Sequence, residues 1–311
     1  MACFFSVCGP AAAKETRIVM ATSGVGGAFY PLGGGMCRLI TKYAPNITAT
    51  AQMTGGVIAN IRLVDTEACE IGMMVPVGMY KAFHGLPPFK KKYPDFCDLV
   101  GLYPPLTNLV VLRESGINTW YDLKGRKIGI GPPGSVSAEI FLDIVRIHPG
   151  LDPKDIKIKR HGYSDMIQAV KDGELEGCFH DVPAGTSGLM DLSTFRKVKW
   201  IPVDPETTAK VIKKFPYFYE SKLPAGSYKG QDQDVPALAI AAGLFCRKEL
   251  DENVVYECVK AIVEHMDELA KVHAVGKKIS KATAVDGIGG IYPIHPGAIR
   301  YYKEINHPKL K

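Results

Sequence analysis

Apolar residues along the chain gather in short runs separated by glycine-rich or polar breaks. Residues 17–21 form one such run, residues 22–35 a glycine-rich stretch, and residues 36–43 an amphipathic segment, an order that predicts strand, loop and helix. The pattern then repeats. Residues 47–53 alternate like a strand and end in Thr54-Gly55-Gly56, and residues 57–65 carry helical periodicity with Thr54 as the expected N-cap. Residues 68–75 read as a buried strand stopped at Pro76. Two β-loop-α units in tandem imply a parallel sheet, with the loops at the carboxyl ends of its strands, where ligands of open α/β sheets sit.

Further strands are expected at 99–103 and 106–112, around Pro104-Pro105, and at 128–131. A third small-residue loop, 132–137, precedes a helix at 138–146. Residues 156–159 read as a strand, 166–171 as a helix opened by Tyr163-Ser164-Asp165, and 175–181 and 197–203 as strands. The Pro-, Tyr- and Gly-rich stretch 215–235 suits an excursion more than an element, and 237–246 reads as one long apolar strand. Helices are expected at 251–275 and 295–303. The chain is therefore expected to leave a first lobe (14–105 plus 237–311) for a second (106–236) and to return. Three helix starts then face one another over a cleft, the geometry of a hinged solute trap.

Composition narrows the class. The 311 residues are 46% hydrophobic and 23% charged, which is ordinary for a globular chain of two domains. The net charge of +6 is scattered apart from Lys90-Lys91-Lys92, and no basic stripe with interleaved aromatics offers a nucleic-acid surface. No run reaches the roughly 18–20 apolar residues of a membrane span. The eight cysteines contain no Cys-x-x-Cys, so neither a disulfide framework nor a zinc site is indicated, and no metal or cofactor is expected. Residues 1–13 are uncharged and end in Ala11-Ala12-Ala13, like the back half of a secretory signal whose start lies upstream. A floppy terminus, or a lipid anchor at Cys8, are the alternatives.

The loop at 22–35 delivers unpaired N–H groups and positive dipole to a helix start and is expected to be an anion seat, the alternative being a tight turn that merely connects strand to helix. It is not a dinucleotide fingerprint, because the sixth place counted from Gly24 is Phe29 and the next strand ends in no acid; nor is there a P-loop Gly-Lys-Ser or Gly-Lys-Thr. The amides of Gly26, Gly27 and Ala28, with those after Thr54 at Gly55 and Gly56, are expected to hold one carboxylate, and Ser135 and Ser137 a second polar group. Tyr30 is either a wall of the site or a core residue. His180-Asp181 is the sharpest polar pair: Asp181 meets an ammonium and His180 a carboxylate, or Asp181 merely closes a turn. For an enzyme the signals are poor. Cys178 and His180 alternate across a strand, residues 263–267 lack the second histidine of a zinc protease, and no Gly-x-Ser-x-Gly occurs. A cytoplasmic transferase-like enzyme and a ligand-sensing module remain the alternatives.

Ser-Gly-Val-Gly-Gly-Ala-Phe-Tyr-Pro-Leu-Gly-Gly-Gly (23–35) resembles the opening signature of the TAXI-type solute receptors of tripartite ATP-independent periplasmic (TRAP) transporters. Ala-Gln-Met-Thr-Gly-Gly (51–56) with Asn-Ile-Arg-Leu (60–63) is similar to their second motif, and Asp-Leu-Lys-Gly (122–125) with Gly-Pro-Pro-Gly-Ser (131–135) to their third. Asp-Val-Pro (234–236) and His-Pro-Gly-Ala-Ile-Arg-Tyr-Tyr (295–302) resemble the late landmarks. The resemblance implies a type II periplasmic binding fold and a periplasmic, monomeric receptor. It further implies that the receptor passes a small carboxylate, such as glutamate or 2-oxoglutarate, to membrane permease subunits. This sequence departs from the family at Val75-Pro76-Val77 and at Gly134-Ser135-Val136-Ser137, both beside the implied ligand.

Overall fold

A computed structural model describes residues 15–310 apart from Gly26, Gly134 and Pro216; the expected leader remnant at 1–13, with Cys3 and Cys8, lies outside the described residues. In chain order the elements are β1 (Thr16–Ala21), α1 (Phe29–Tyr43), β2 (Ile47–Gln52), α2 (Val57–Asp65), β3 (Ile71–Met74), α3 (Pro76–His84), β4 (Phe96–Gly101) and β5 (Leu106–Leu112). Then come β6 (Lys127–Gly129), α4 (Val136–Ile147), β7 (Lys157–Lys159), α5 (Tyr163–Lys171), β8 (Gly177–Val182), α6 (Ser187–Phe195), β9 (Val198–Trp200) and α7 (Pro205–Lys214). The chain closes with β10 (Tyr219–Leu223), β11 (Val235–Ala239), β12 (Gly243–Arg247), α8 (Glu252–Glu264) and α9 (Pro296–Glu304).

The strands form two sheets, ordered β2-β1-β3-β12-β4 and β10-β11-β5-β8-β6-β7, with β9 paired to β5. β1, β2 and β3 are parallel, as tandem β-loop-α units require, and β12 runs antiparallel between β3 and β4. The chain crosses between the sheets twice, after β4 and after β11. The two crossings are hydrogen-bonded to each other: Leu102 N–H donates to Ala242 O at 2.8 Å, Ala242 N–H to Tyr103 O at 2.8 Å, and Ile240 N–H to Pro105 O at 3.2 Å. This is the two-lobed α/β architecture of periplasmic binding proteins, with a cleft between the lobes and hinge strands.

Helix α1 begins at Phe29, so Gly33, Gly34 and Gly35 lie inside it and not in the loop. Leu32, Met36 and Ile40, spaced by four, build its buried face, each worth about 1.5–3 kcal/mol of apolar burial. Gly33 is there for close approach: a Cβ on it would lie 2.4 Å from Thr22 Cγ2. The expected cap Thr54 does not cap α2; Gly56, at φ +101°, occupies that place, a backbone conformation open to glycine.

One further expectation holds and two fail for local reasons. The strand β3 ends at Met74, just before Pro76, and Pro76 then opens α3 at its first position, where its missing N–H costs nothing. The apolar run 237–246 is not one strand. It divides into β11 and β12, which join different sheets, and a run buried on both faces hides such a switch. The excursion 215–235 contains β10, an edge strand paired only with β11 through the register Tyr219↔Ala239 to Leu223↔Val235. The six described cysteines, Cys37, Cys69, Cys97, Cys178, Cys246 and Cys258, are all buried and unbridged. Among the described residues no helix is long and apolar enough to cross a membrane.

Candidate functional site

Five helices begin at one place. Ala28, Gly56, Val75, Ser135 and Gly162, the residues preceding α1, α2, α3, α4 and α5, all line a single cavity of about 270 Å³ between the two sheets. The starts of α1, α2 and α3 carry neither a side-chain cap nor an acidic residue in the first turn. Each such terminus concentrates about half a positive charge and unpaired N–H groups. α4 alone among the five is capped by a side chain, Ser135 Oγ accepting from Ala138 N–H at 3.3 Å. No lysine or arginine lines the cavity among the described residues, so an anion there relies on main-chain donors.

The loops at this edge are held by Asn60, a fully buried residue of α2. Its Nδ2 donates to Thr22 O and Met73 O, both at 2.8 Å, and its Oδ1 lies 2.6 Å from Thr54 Oγ1. The end of β1, the end of β3 and the turn after β2 are thereby tied to one side chain. Thr54 Oγ1 in turn accepts from Gly56 N–H at 3.0 Å, so that amide, expected to hold a carboxylate, is already engaged.

Across the cavity Ser137, in the first turn of α4, meets the end of β8. Its hydroxyl donates to Asp181 Oδ1 in a short contact and lies 3.3 Å from His180 Nδ1. Burial drives the His180 imidazole down to about 4, against a smaller opposite push from a backbone hydrogen bond. Burial raises the Asp181 carboxyl to about 6, and the Ser137 hydrogen bond limits the rise. At neutral pH the pair is thus an uncharged imidazole and a largely ionised carboxylate. Asp181 has no lysine or arginine in ion-pair range among the described residues. Burial, and next the charge of Asp181, hold the Tyr103 phenol far above its usual range.

Of the expected site residues, Gly27, Ala28, Thr54, Gly55, Gly56, Val75, Ser135, Val136, Ser137, His180 and Asp181 line this cavity. Gly26 and Gly134 lie outside the described residues. Tyr30 does not line it: it sits on the exposed side of α1, 37% exposed, and its neighbour Phe29 faces the cavity instead. Pro76 lines a different cavity, being one helical position beyond Val75. Sequence reasoning missed the aromatic walls: Phe29 and Tyr103, edge to face at 6.4 Å, and Tyr163, edge to face with His180 at 4.4 Å. Tyr103 carried a signal, since it stands beside Pro104-Pro105 where the chain crosses between the sheets.

The fold recurs in solved structures of low sequence identity. The alkanesulfonate-binding protein SsuA from Xanthomonas axonopodis pv. citri, bound to MOPS, aligns with a TM-score of 0.52 at 12% identity over 96% of this chain and 95% of that one. A putative L-cystine ABC transporter from Listeria monocytogenes aligns at 0.52 and 14% identity, over 86% and 98%. The binding protein component of an ABC phosphonate transporter from Pseudomonas aeruginosa aligns at 0.52 and 13%, over 86% and 81%. Among curated proteins, 4-amino-5-hydroxymethyl-2-methylpyrimidine phosphate synthase of Schizosaccharomyces pombe is 33% identical over 106 residues, which span 33% of this chain and 29% of that protein. The model of the NMT1-like family matches residues 20–305, nearly the whole length, and the chain belongs to that family.

Proposed function

We propose that the protein is the extracytoplasmic solute-binding receptor of a TRAP-type secondary transporter, of the TAXI kind. In this reading it captures a small carboxylate between its lobes, 14–105 with 237–311 and 106–236, and delivers it to a membrane permease. The observation that carries the reading is the meeting of five helix starts in one cavity, with no lysine or arginine among its described lining residues and with the Asp181 carboxylate beside the start of α4. Main-chain donors of α1, and of α2 apart from the engaged Gly56 amide, take the anionic group, and Asp181 takes an ammonium. Glutamate satisfies both ends; 2-oxoglutarate satisfies only the first. A cavity of about 270 Å³ suits a solute of this size. Three or four charge-assisted hydrogen bonds of about 1.5–3 kcal/mol each, less ordering costs, support micromolar binding. Two of the solved structures of the same fold, SsuA and the phosphonate-transporter component, are binding proteins, which agrees with a receptor role.

A second reading, a cytoplasmic transferase-like enzyme, draws on the synthase name of the curated relative. The site chemistry favours it less. Ser137 commits its proton to Asp181, and an imidazole pushed down to about 4 is a weak base for activating a hydroxyl. A thermal-shift screen with amino acids and small carboxylates tests the receptor reading. A receptor is expected to gain several degrees with L-glutamate or a close analogue, because a ligand bound only to the folded form stabilises it by mass action. No shift with any carboxylate or amino acid contradicts it.

A further inference from the structure

A second cavity, of about 670 Å³, shares no lining residue with the cleft. One side is α3, with Met79, Tyr80 and Phe83, and the other is the chain entering β10, with Tyr217 and Tyr219. Its volume falls among those of organic-ligand pockets, about 300–1,000 Å³. His84 and Asp98, the latter from β4 and 3% exposed, also line this cavity. Asp98 Oδ2 accepts from Gly289 N–H at 2.8 Å, whereas Oδ1 is buried without a hydrogen-bond partner among the described residues. The Tyr217 hydroxyl is likewise buried and unpartnered.

A buried carboxyl with one oxygen unsatisfied is costly unless something donates to it. Asp98 makes no ion pair with any described lysine, arginine or histidine, in contrast to the paired carboxylates elsewhere in the chain. Burial pushes it up to about 7, and the Gly289 hydrogen bond opposes this, so a cation placed beside it has an ionisable partner at hand. An anionic ligand sets its charge against the Asp98 carboxylate, with His84 the only described lining side chain able to carry a positive charge, and a neutral apolar one leaves Oδ1 unpaired.

We propose that this cavity binds a small organic amine, an ammonium group on an aromatic or branched aliphatic body, with Asp98 as counter-ion and Tyr80, Phe83 and Tyr219 as walls. Because the walls come from both lobes, the occupant also favours the arrangement in which the Tyr80 and Tyr217 rings meet at 5.5 Å. The site shares no lining residue with the solute cleft, and the proposal does not rest on the proposed function.

The test uses phenethylamine as probe and 3-phenylpropionate as its charge-reversed control, titrated into the full chain by calorimetry at about pH 8, where the amine is protonated and Asp98 is mostly ionised. Saturable one-to-one binding of phenethylamine is expected, about tenfold or more tighter than phenylpropionate. Asp98→Asn is expected to weaken it about tenfold, and Asp181→Asn to leave it unchanged. Phe83→Ala, at a half-exposed wall position, is expected to weaken it as well and serves if Asp98→Asn does not fold. Absence of saturable phenethylamine binding overturns the proposal. So does binding that survives in folded Asp98→Asn or in Phe83→Ala, or that disappears in Asp181→Asn, which would place the amine in the cleft.

Discussion

Lys81 Nζ lies 2.8 Å from Glu139 Oε2, and the two residues belong to helices on opposite lobes, α3 and α4. Asp143 Oδ2 stands 3.1 Å from the same ammonium. All three side chains are at most 15% exposed, so the pair is little screened, unlike a surface bridge. A second contact near the cleft, Ser164 Oγ donating to Val25 O at 3.4 Å, is longer and exposed. Lys81 is therefore the principal ionic tie holding the lobes together. Removing one partner of a buried pair leaves uncompensated charge, at about 2–4 kcal/mol for groups still partly wetted. Lys81→Met is expected to raise the radius of gyration of the unliganded chain in small-angle scattering and to weaken solute binding. An unchanged radius and melting temperature would deny the tie.

Neighbouring glycines in α1 should respond in opposite directions. Gly33→Ala drives a Cβ to 2.4 Å from Thr22 Cγ2, and such overpacking costs about 1–3 kcal/mol. At Gly34 the nearest group is the flexible Arg38 guanidinium at 3.8 Å, so alanine there recovers helix propensity of up to about 1 kcal/mol. Thermal melts of the two variants should move to either side of the parent, and a shift of both in one direction refutes the close-approach role of Gly33.

Asn60→Leu keeps the volume of the buried hub while removing its donors and acceptor. Met73 O then loses its Nδ2 partner, while the Thr54 hydroxyl and Thr22 O keep their mutual contact at 3.1 Å, with a cost of about 1–3 kcal/mol for each buried group left unpaired. Both stability and solute affinity should fall, because the loops bearing the amides are no longer tied. Loss of stability with unaltered affinity in the folded fraction would separate the hub from the site.

Much of this was readable beforehand, and the failures share a cause. The β1–α1 and β2–α2 units announce themselves because apolar period and glycine breaks agree. Asp181 and Ser137 were visible as polar groups at a strand end and a helix start. Pro76 marked the end of β3 but not the start of α3, because proline both breaks and opens helices and only the following residues decide which. The division of 237–246 is invisible because Leu238, Ile240, Leu244 and Phe245 are all buried, whichever sheet they join. Lys81 and Asp98 gave no local sign, and Asn60 stood out only as a member of the 60–63 motif, without its role. Their roles arise from groups far along the chain: Glu139 for Lys81, Gly289 for Asp98 and Thr22 for Asn60.

The His180–Asp181 pair should leave two opposed marks on stability against pH. His180 falls from 6.5 to about 4 on folding, so its neutral form is favoured in the fold, and it penalises the folded state increasingly as pH drops from about 6.5 towards 4. Asp181 rises from 3.8 to about 6, so its stabilisation is full below about 4 and is lost as pH rises towards 6. The His180 side chain retains 20% exposure, which holds each effect to about 1–2 kcal/mol. Relative to the parent, His180→Asn should gain stability as the medium is acidified and Asp181→Asn as it is made neutral. Parallel curves for parent and variants would contradict these shifts.

The most direct measurement is calorimetric titration of L-glutamate and 2-oxoglutarate into the parent chain and Asp181→Asn at neutral pH. The parent should bind glutamate more tightly than 2-oxoglutarate. The variant should lose about 10- to 100-fold for glutamate alone, because only the ammonium contact is removed while the helix-start amides remain. Failure of the parent to bind either solute, or a variant that binds glutamate as the parent does, would contradict capture by opposed main-chain donors and Asp181.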